Sequence, residues 1–219
     1  MALAGDAVVA IWNDITPEGR ANFYEWHNRE HMPERLGIDG FLRGRRYIAL
    51  EGAPEYFTLY EVANTGVLNG EAYLARLNSP TPWTTNSVRD FRNTARSLCR
   101  NDISQGAASG GYLGTIRFNC DPSRDATLMA GFQVLFIDIL HLEGIVAAHV
   151  SRADLAASLA KTAEQEGRPA NAVPRWVVLV EGSTPEAIRF ALTELSAVVA
   201  QDAEIGTYAL QFDLIANHA

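Results

Sequence analysis

The richest run of reactive side chains is Tyr24-Glu25-Trp26-His27-Asn28-Arg29-Glu30-His31-Met32-Pro33-Glu34-Arg35. On a helix His27 and His31 stand four residues apart and project from one face, a spacing that suits a divalent metal. With Glu30 the string reads H-x-x-E-H, the inverzincin pattern. That chemistry needs a third carboxylate or imidazole from another helix, and no later segment supplies a matching one, so no metal site is expected. The commoner fate of such a pair is interaction with local carboxylates near a helix end. A third use is proton transfer: an imidazole of ordinary pKa, about 6.5, aimed into a cavity mouth serves as general acid or base.

A second concentration lies on the strand expected from Phe41 to Leu50. Alternation puts Phe41, Arg43, Arg45 and Tyr47 on one face and Leu42, Gly44, Arg46 and Ile48 on the other. The same register groups Ile145, Ala147, His149 and Ser151 later in the chain, matches Trp12 and Asp14 with Arg117 and Asn119, and adds Tyr56, Thr58 and Tyr60 to the first wall. Aromatic walls with a few convergent polar groups suit a small-molecule pocket, and guanidinium forks suit carboxylate or enolate oxygens. On this reading Arg43, Arg45 and Arg117 hold a compact aromatic or cyclic anion, with Trp12, Asp14, Tyr60 and His149 completing the wall. His31 or His27 moves a proton, and Tyr47 or Tyr60 orients the substrate. The alternative is that the arginines neutralise Asp14 and other carboxylates in a polar sheet core.

The elements that must position these residues repeat. Strands are expected at 7–15, 41–50, 56–63 and 100–107, with helices from Pro17 to about Leu36, from Val67 to Leu77 and from Ser87 to Leu98, Pro33 bending or ending the first. The order recurs with strands at 112–120, 145–152, 175–181 and 207–215 and helices at 122–142 and from Thr184 to about Ala200, interrupted by a polar insert over 154–171. Residues align as well as elements: Thr16-Pro17-Glu18 on Asp121-Pro122-Ser123, Gly40-Phe41 on Gly144-Ile145, and Pro54 to Glu61 on Pro174 to Glu181 without a gap. Self-similarity of this kind marks duplication, and each unit is a split βαβ, ferredoxin-like motif. The expected fold is α+β: two tandem ferredoxin-like βαββαβ repeats, residues 1–109 and 110–219, packed sheet to sheet as an intrachain barrel with a cavity between the sheets.

Composition narrows the function. The 219 residues are 47% hydrophobic and 20% charged, ordinary for a globular chain able to bury a real core. Eighteen basic residues against 26 acidic ones give a net charge of −8, which disfavours nucleic-acid binding. No apolar run approaches ~18 residues and no basic leader precedes Asp6, so the expectation is a cytoplasmic protein with no membrane partner. Cys99 and Cys120 form no CxxC pair. Lys161, the only lysine, lies in a polar stretch and is a poor Schiff-base former. GxSxG, Walker A and GxGxxG sequences are absent.

Phe23-Tyr24-x-Trp26, His31-Met32-Pro33, Gly40-Phe41 and Arg43-Gly44-Arg45-Arg46-Tyr47 resemble the dimeric α/β-barrel superfamily and, within it, EthD-like proteins. The likeness covers the first half well and the second in architecture, where His141 lacks a following proline. It implies two ferredoxin-like units facing each other, and it carries His31 over as a site residue. The superfamily includes isomerases, small monooxygenases, haem-dependent enzymes and proteins of no assigned activity, so it selects no reaction. The leading expectation is a small-molecule enzyme of isomerase, lyase or cofactor-free oxygenase type. A non-catalytic binding or assembly protein and a haem or metal protein using His27, His31 or His149 are the alternatives. No cofactor is expected, and a homodimer through the outer helices is compatible with the pattern.

Overall fold

The computed structural model describes residues 3–167, 169–199 and 202–217. Eight strands, β1 (Ala7–Ile15), β2 (Phe41–Glu51), β3 (Tyr56–Val62), β4 (Phe91–Gly106), β5 (Tyr112–Phe118), β6 (Ile145–Ala153), β7 (Trp176–Gly182) and β8 (Glu204–Ile215), close into an antiparallel barrel. Their order is β1-β3-β2-β8-β5-β7-β6-β4. The first four therefore run β4-β1-β3-β2 and the last four β8-β5-β7-β6, the same order twice, joined along the β2–β8 and β4–β6 seams.

Helices cover the outside of both sets. In the first, α1 (Arg20–Trp26), a π-helical turn (His27–His31) and α2 (Met32–Leu36) follow one another without a break. Pro33 does not end the helix. The Met32 N–H reaches back five residues to the His27 carbonyl, and the widened turn accommodates the proline, which lacks a donor and crowds the preceding turn. Three short helices, α3 (Thr65–Leu68), α4 (Glu71–Asn78) and α5 (Pro82–Ser87), continue this layer, and α7 (Leu155–Ser158), from the later part of the chain, joins it against β4; the other layer holds α6 (Asp125–Ile139) and α8 (Pro185–Ser196). Gly40 and Gly144 hold φ of +90° and +83° in the turns entering β2 and β6, a conformation that favours glycine. The helix expected from Ser87 to Leu98 is instead a 3₁₀ turn (Val88–Asp90) followed by β4. Val88, Phe91, Ala95 and Leu98 mimic helical spacing, but β4 pairs with both β1 and β6 and its ladder takes the backbone. The expected end of the last helix, Ala200, lies outside the described residues; α8 ends at Ser196.

Alternation sorts the middle of each strand, but bulges after Phe41 and Ile145 turn these two residues away from Arg43 and His149 and onto the helix-side clusters, and Tyr60 lies on the wall opposite the one expected. Arg45 pairs with Leu59 and Tyr47 with Phe57, so it is Phe57, Leu59 and Glu61 that share the inner face with Arg45, while Tyr56, Thr58 and Tyr60 turn outward to the helices. The expected cavity between the sheets is filled. Trp12, Tyr47, Phe57, Leu59, Leu113, Val177, Leu179 and Tyr208 form one packed cluster inside the barrel. Within it Arg45, fully buried, makes ion pairs to Glu61 at 2.8 Å and Glu181 at 2.7 Å. His149 stands 3.5 Å from Glu181 and contacts Ser104 Oγ through Nδ1 at 3.0 Å. The N–H groups of Ala4 and Gly110 donate to Glu61 and Glu181 at 2.7 and 3.0 Å. Burial pushes the Glu181 carboxyl up, but the neighbouring His149 and the Arg45 guanidinium outweigh it and hold the pKa at about 2.

Candidate active site

The site lies between the outward face of the first sheet and its helices. A cavity of about 60 Å³ is bounded by Ile11, Asn13, Thr58, Tyr60 and Arg96 from the strands and by Trp26, His27, His31 and Arg35 from the helix. Tyr73 of α4 and Thr162, Glu164 and Asn171 of the polar insert close it. The insert belongs to the second half of the chain yet seals the first. The Arg96 N–H donates to the Ala172 carbonyl at 2.8 Å, the Ala172 N–H to Thr94 at 3.1 Å, and the Leu98 N–H to Ser158 Oγ at 2.9 Å. Glu164 accepts a hydrogen bond from the Arg35 guanidinium.

The helix comes close to the sheet because Gly44 has no side chain: a Cβ there would lie 3.1 Å from Met32 Sδ and 3.2 Å from the Tyr60 ring. His31 is thereby set 4.3 Å from Trp26, 5.6 Å from His27 and 6.5 Å from Tyr60, ring centre to ring centre. Trp26 is fixed by its indole N–H, which donates to Thr84 Oγ1 at 3.1 Å. The Thr84 and Thr81 hydroxyls donate in turn to Glu30 Oε1, at 3.2 and 2.5 Å. Glu30 thus faces α5 and not the imidazoles, so H-x-x-E-H is not a ligand set here. Among the described residues no group of three His, Cys, Asp or Glu is placed to hold a metal ion.

Electrostatics keep both imidazoles neutral. His27 Nδ1 lies 3.1 Å from Arg46, which can only donate, so that nitrogen accepts and the ring proton sits on Nε2. Burial first, then the Arg46 and Arg35 charges, lower the His27 pKa well below its ordinary value. Burial, Arg35, His27 and Arg96 do the same to His31. Arg35 stays charged: burial opposes its charge, but Glu164 and the neighbouring tyrosines more than restore it. Arg96 donates to the Tyr73 hydroxyl at 2.7 Å, and burial raises the Tyr60 phenol so that it remains protonated. Three polar atoms on this one cavity, His31 Nδ1, Tyr60 Oη and Thr162 Oγ1, are buried without a hydrogen-bond partner. Buried polar atoms are rarely left so. They leave unused hydrogen-bonding capacity on one cavity, with a neutral imidazole and the Arg35 and Arg96 guanidinium groups beside it.

Of the residues expected at the site, His27, His31 and Tyr60 meet on this cavity. The others do not join them. Arg45, His149, Tyr47 and Trp12 are buried inside the barrel, and Arg43 pairs with Asp213 at 2.6 Å and Ser109 at 2.8 Å at its rim. Asp14 and Arg117 sit at the opposite end, where Asp14 accepts from the Glu55 N–H at 2.6 Å and Asn93 at 2.7 Å. Sequence reasoning missed Arg35, Arg96, Tyr73, Thr162 and Glu164. Arg35 was within reach, since it continues the four-residue spacing of His27 and His31. Thr162 and Glu164 gave no signal, because a polar insert carries no periodicity that says what it covers.

No family model matches the sequence, and no curated protein matches it. Solved structures do. An anthrone oxidase-like protein aligns at a TM-score of 0.63 and 12% identity over 100% of this chain and 97% of its own. A monooxygenase-like protein of Lactobacillus acidophilus aligns at 0.58 and 8% identity over 96% of each chain. A haem-binding protein of Thermus thermophilus aligns at 0.51 and 13% identity over 95% of this chain and 92% of its own. These likenesses establish the fold, an eight-stranded antiparallel barrel with helices on its outside. No helix among the described residues is long and apolar enough to cross a membrane.

Haem does not fit in the cavity beside His31. A cavity of about 60 Å³ beside His31 is far below the roughly 300–1,000 Å³ of pockets that enclose drug-sized ligands. His27 Nδ1 is taken by Arg46, and His149 is sealed in the barrel with Glu181.

Proposed function

We propose that the chain is a small-molecule enzyme in which neutral His31 removes a proton from a compact aromatic or cyclic substrate. The proton passes from a substrate O–H or acidic C–H to the imidazole, and the electron pair left behind is held by the positive field of Arg35 and Arg96. The two charges cooperate with the base. They depress the His31 pKa while the cavity holds no anion, and an anion forming beside them cancels part of that field, so the imidazolium becomes easier to form as the substrate ionises. Tyr60 and Thr162 supply the hydroxyls that orient the ring. Isomerisation, elimination and cofactor-free oxygenation share this first step, and the oxygenating outcome, with dioxygen accepting the electrons, is in keeping with the anthrone oxidase-like and monooxygenase-like neighbours.

The observation that carries the reading is the convergence of His31 Nδ1, Tyr60 Oη and Thr162 Oγ1, all buried and unpartnered, on one cavity. Trp26, 4.3 Å from His31, makes binding visible by fluorescence. His31→Asn is expected to lower turnover while leaving the fluorescence-derived Kd within a factor of about three; equal losses in both would count against proton transfer.

The frame is, in this proposal, a doubled ferredoxin-like unit of EthD-like descent, residues 1–109 and 110–219. The repeated strand order, the paired positive-φ glycines and the matched Glu61 and Glu181 support it.

A further inference from the structure

A groove of about 990 Å³ adjoins the cavity and shares Val88, Phe91, Thr94, Glu164 and Asn171 with it as a common wall. Its far side is Arg117, Pro54 and Asp14 at the mouth of the barrel, with Arg89 and Arg92 on the rim. Arg117 is only 5% exposed and stacks 4.9 Å above the Trp12 ring. One of its terminal nitrogens, Nη2, donates to Glu204; the other, Nη1, is buried without a partner. The groove's carboxylates do not satisfy it. Asp14 is occupied by Glu55 and Asn93, Glu164 by Arg35, and Glu204 by the other arm of the same guanidinium; Glu166 lies on the insert side.

The size difference is informative. The cavity beside His31 admits little more than the edge of a ring, whereas the groove, at about 990 Å³, has room for a fused aromatic body. We infer that the groove binds the body of a flat aromatic substrate and that Arg117 receives a carboxylate carried at the end of it remote from His31. This rests on His31 being the base, and it adds the substrate class: an extended hydroxyaryl acid, its hydroxyl edge in the cavity and its acid at the barrel mouth. A buried guanidinium nitrogen with a free N–H gives a carboxylate a charge-assisted hydrogen bond in a partly dry setting, stronger than a surface contact.

The test is calorimetric binding of 6-hydroxy-2-naphthoic acid and of 2-naphthol, which share the ring and hydroxyl and differ in the acid, to the full chain. The acid is expected to bind at least about 10-fold tighter. Arg117→Gln should erase that preference while leaving 2-naphthol unchanged. Glu204→Gln, at a largely exposed carboxylate, should free Nη2 and tighten the acid a few-fold without touching the packed core. Equal binding of the two ligands by the native chain, no binding of either, or equal weakening of both by Arg117→Gln overturns the assignment. The base is read separately from the absorbance of the bound naphtholate. If His31→Asn leaves ionisation unchanged while the Arg117-dependent preference persists, the proton-transfer reading fails and the carboxylate site stands.

Discussion

The helix-to-sheet layers of the two halves occupy equivalent frames and hold opposite contents. Asn13 pairs with Tyr56, Ile11 with Thr58 and Val9 with Tyr60; in the second half Phe118 pairs with Trp176, Ile116 with Val178 and Gly114 with Val180. Thr58 and Tyr60 thus correspond to Val178 and Val180, and Asn13 to Phe118. On the helices, with Pro17 and Pro122 set 105 residues apart, His27 and His31 fall on Phe132 and Phe136, both fully buried. Gly40 and Gly144 are 104 apart, so the first half carries one residue more between these landmarks. That is what a π turn accommodates, and the π turn spans His27–His31. Phe132, Phe136, Trp176, Ile116 and Leu192 fill the second layer to a dry core. One layer stabilises the barrel, and the other keeps buried polar groups short of partners, an arrangement that favours a ligand over stability.

The sharpest break in this contrast is at His31. If the polar layer exists for proton transfer, His31→Asn removes the base and should lower kcat by about 10²–10⁴-fold, measured on whichever hydroxyaryl substrate turns over. A loss below about tenfold would reduce the cavity to a binding pocket.

The halves agree inside the barrel, and there the expected effect is on stability. Glu181→Gln leaves Arg45 with Glu61 as its one carboxylate, and should cost on the order of 3–5 kcal/mol by urea denaturation at pH 7. Because the folded Glu181 pKa lies near 2 against an ordinary 4.5, its stabilisation is complete above about pH 4.5 and is lost as pH falls toward 2. The variant should therefore show a flatter acid limb over that window. An unchanged limb would mean that the cluster does not titrate as a unit.

How far these assignments could be read from the residues alone depends on what alternation carries. It sorts a strand into two faces, and the alternation of strands and helices, the Gly40 and Gly144 turns, and the pairing of His27 with His31 on one helix face followed from local pattern. It does not say which face looks inward when helices cover one side and a second sheet the other, since both are then buried. A single-residue shift between β2 and β3 decided that Tyr60 belongs with His31 and not with Arg45. Arg45 illustrates the trap: inside a barrel, a guanidinium on a strand has the same sequence signature whether it meets a substrate or Glu61 and Glu181.

The reverse transplant asks whether the dry layer tolerates the other's chemistry. Phe136→His puts an imidazole among Ile116, Phe132, Val178 and Leu192 with no cationic or hydroxyl neighbours of the kind that surround His31. It should destabilise by about 3 kcal/mol through lost packing and an unpartnered polar group, and should create no binding site. A loss under about 1 kcal/mol would mean that the layers differ less than their contents suggest.

The mildest test is His27→Phe with His31→Phe, which writes the second half's residues into the first. Both histidine pKa values are lowered by burial and by nearby arginines, so both rings are neutral when folded and gain protons on unfolding. Their contribution is fully present above about pH 6.5 and declines as pH falls below it, with a slope approaching about 1.4 kcal/mol per pH unit for each histidine. The native chain should therefore lose stability between pH 7 and pH 5, and the double variant should lose less. Stability at pH 7 should change little, since the phenylalanines replace rings already packed against Phe23, Trp26 and Tyr60. If instead the native acid decline persists in the double variant, some other buried group titrates there, and the neutral state of His31, on which its role as base depends, loses its thermodynamic support.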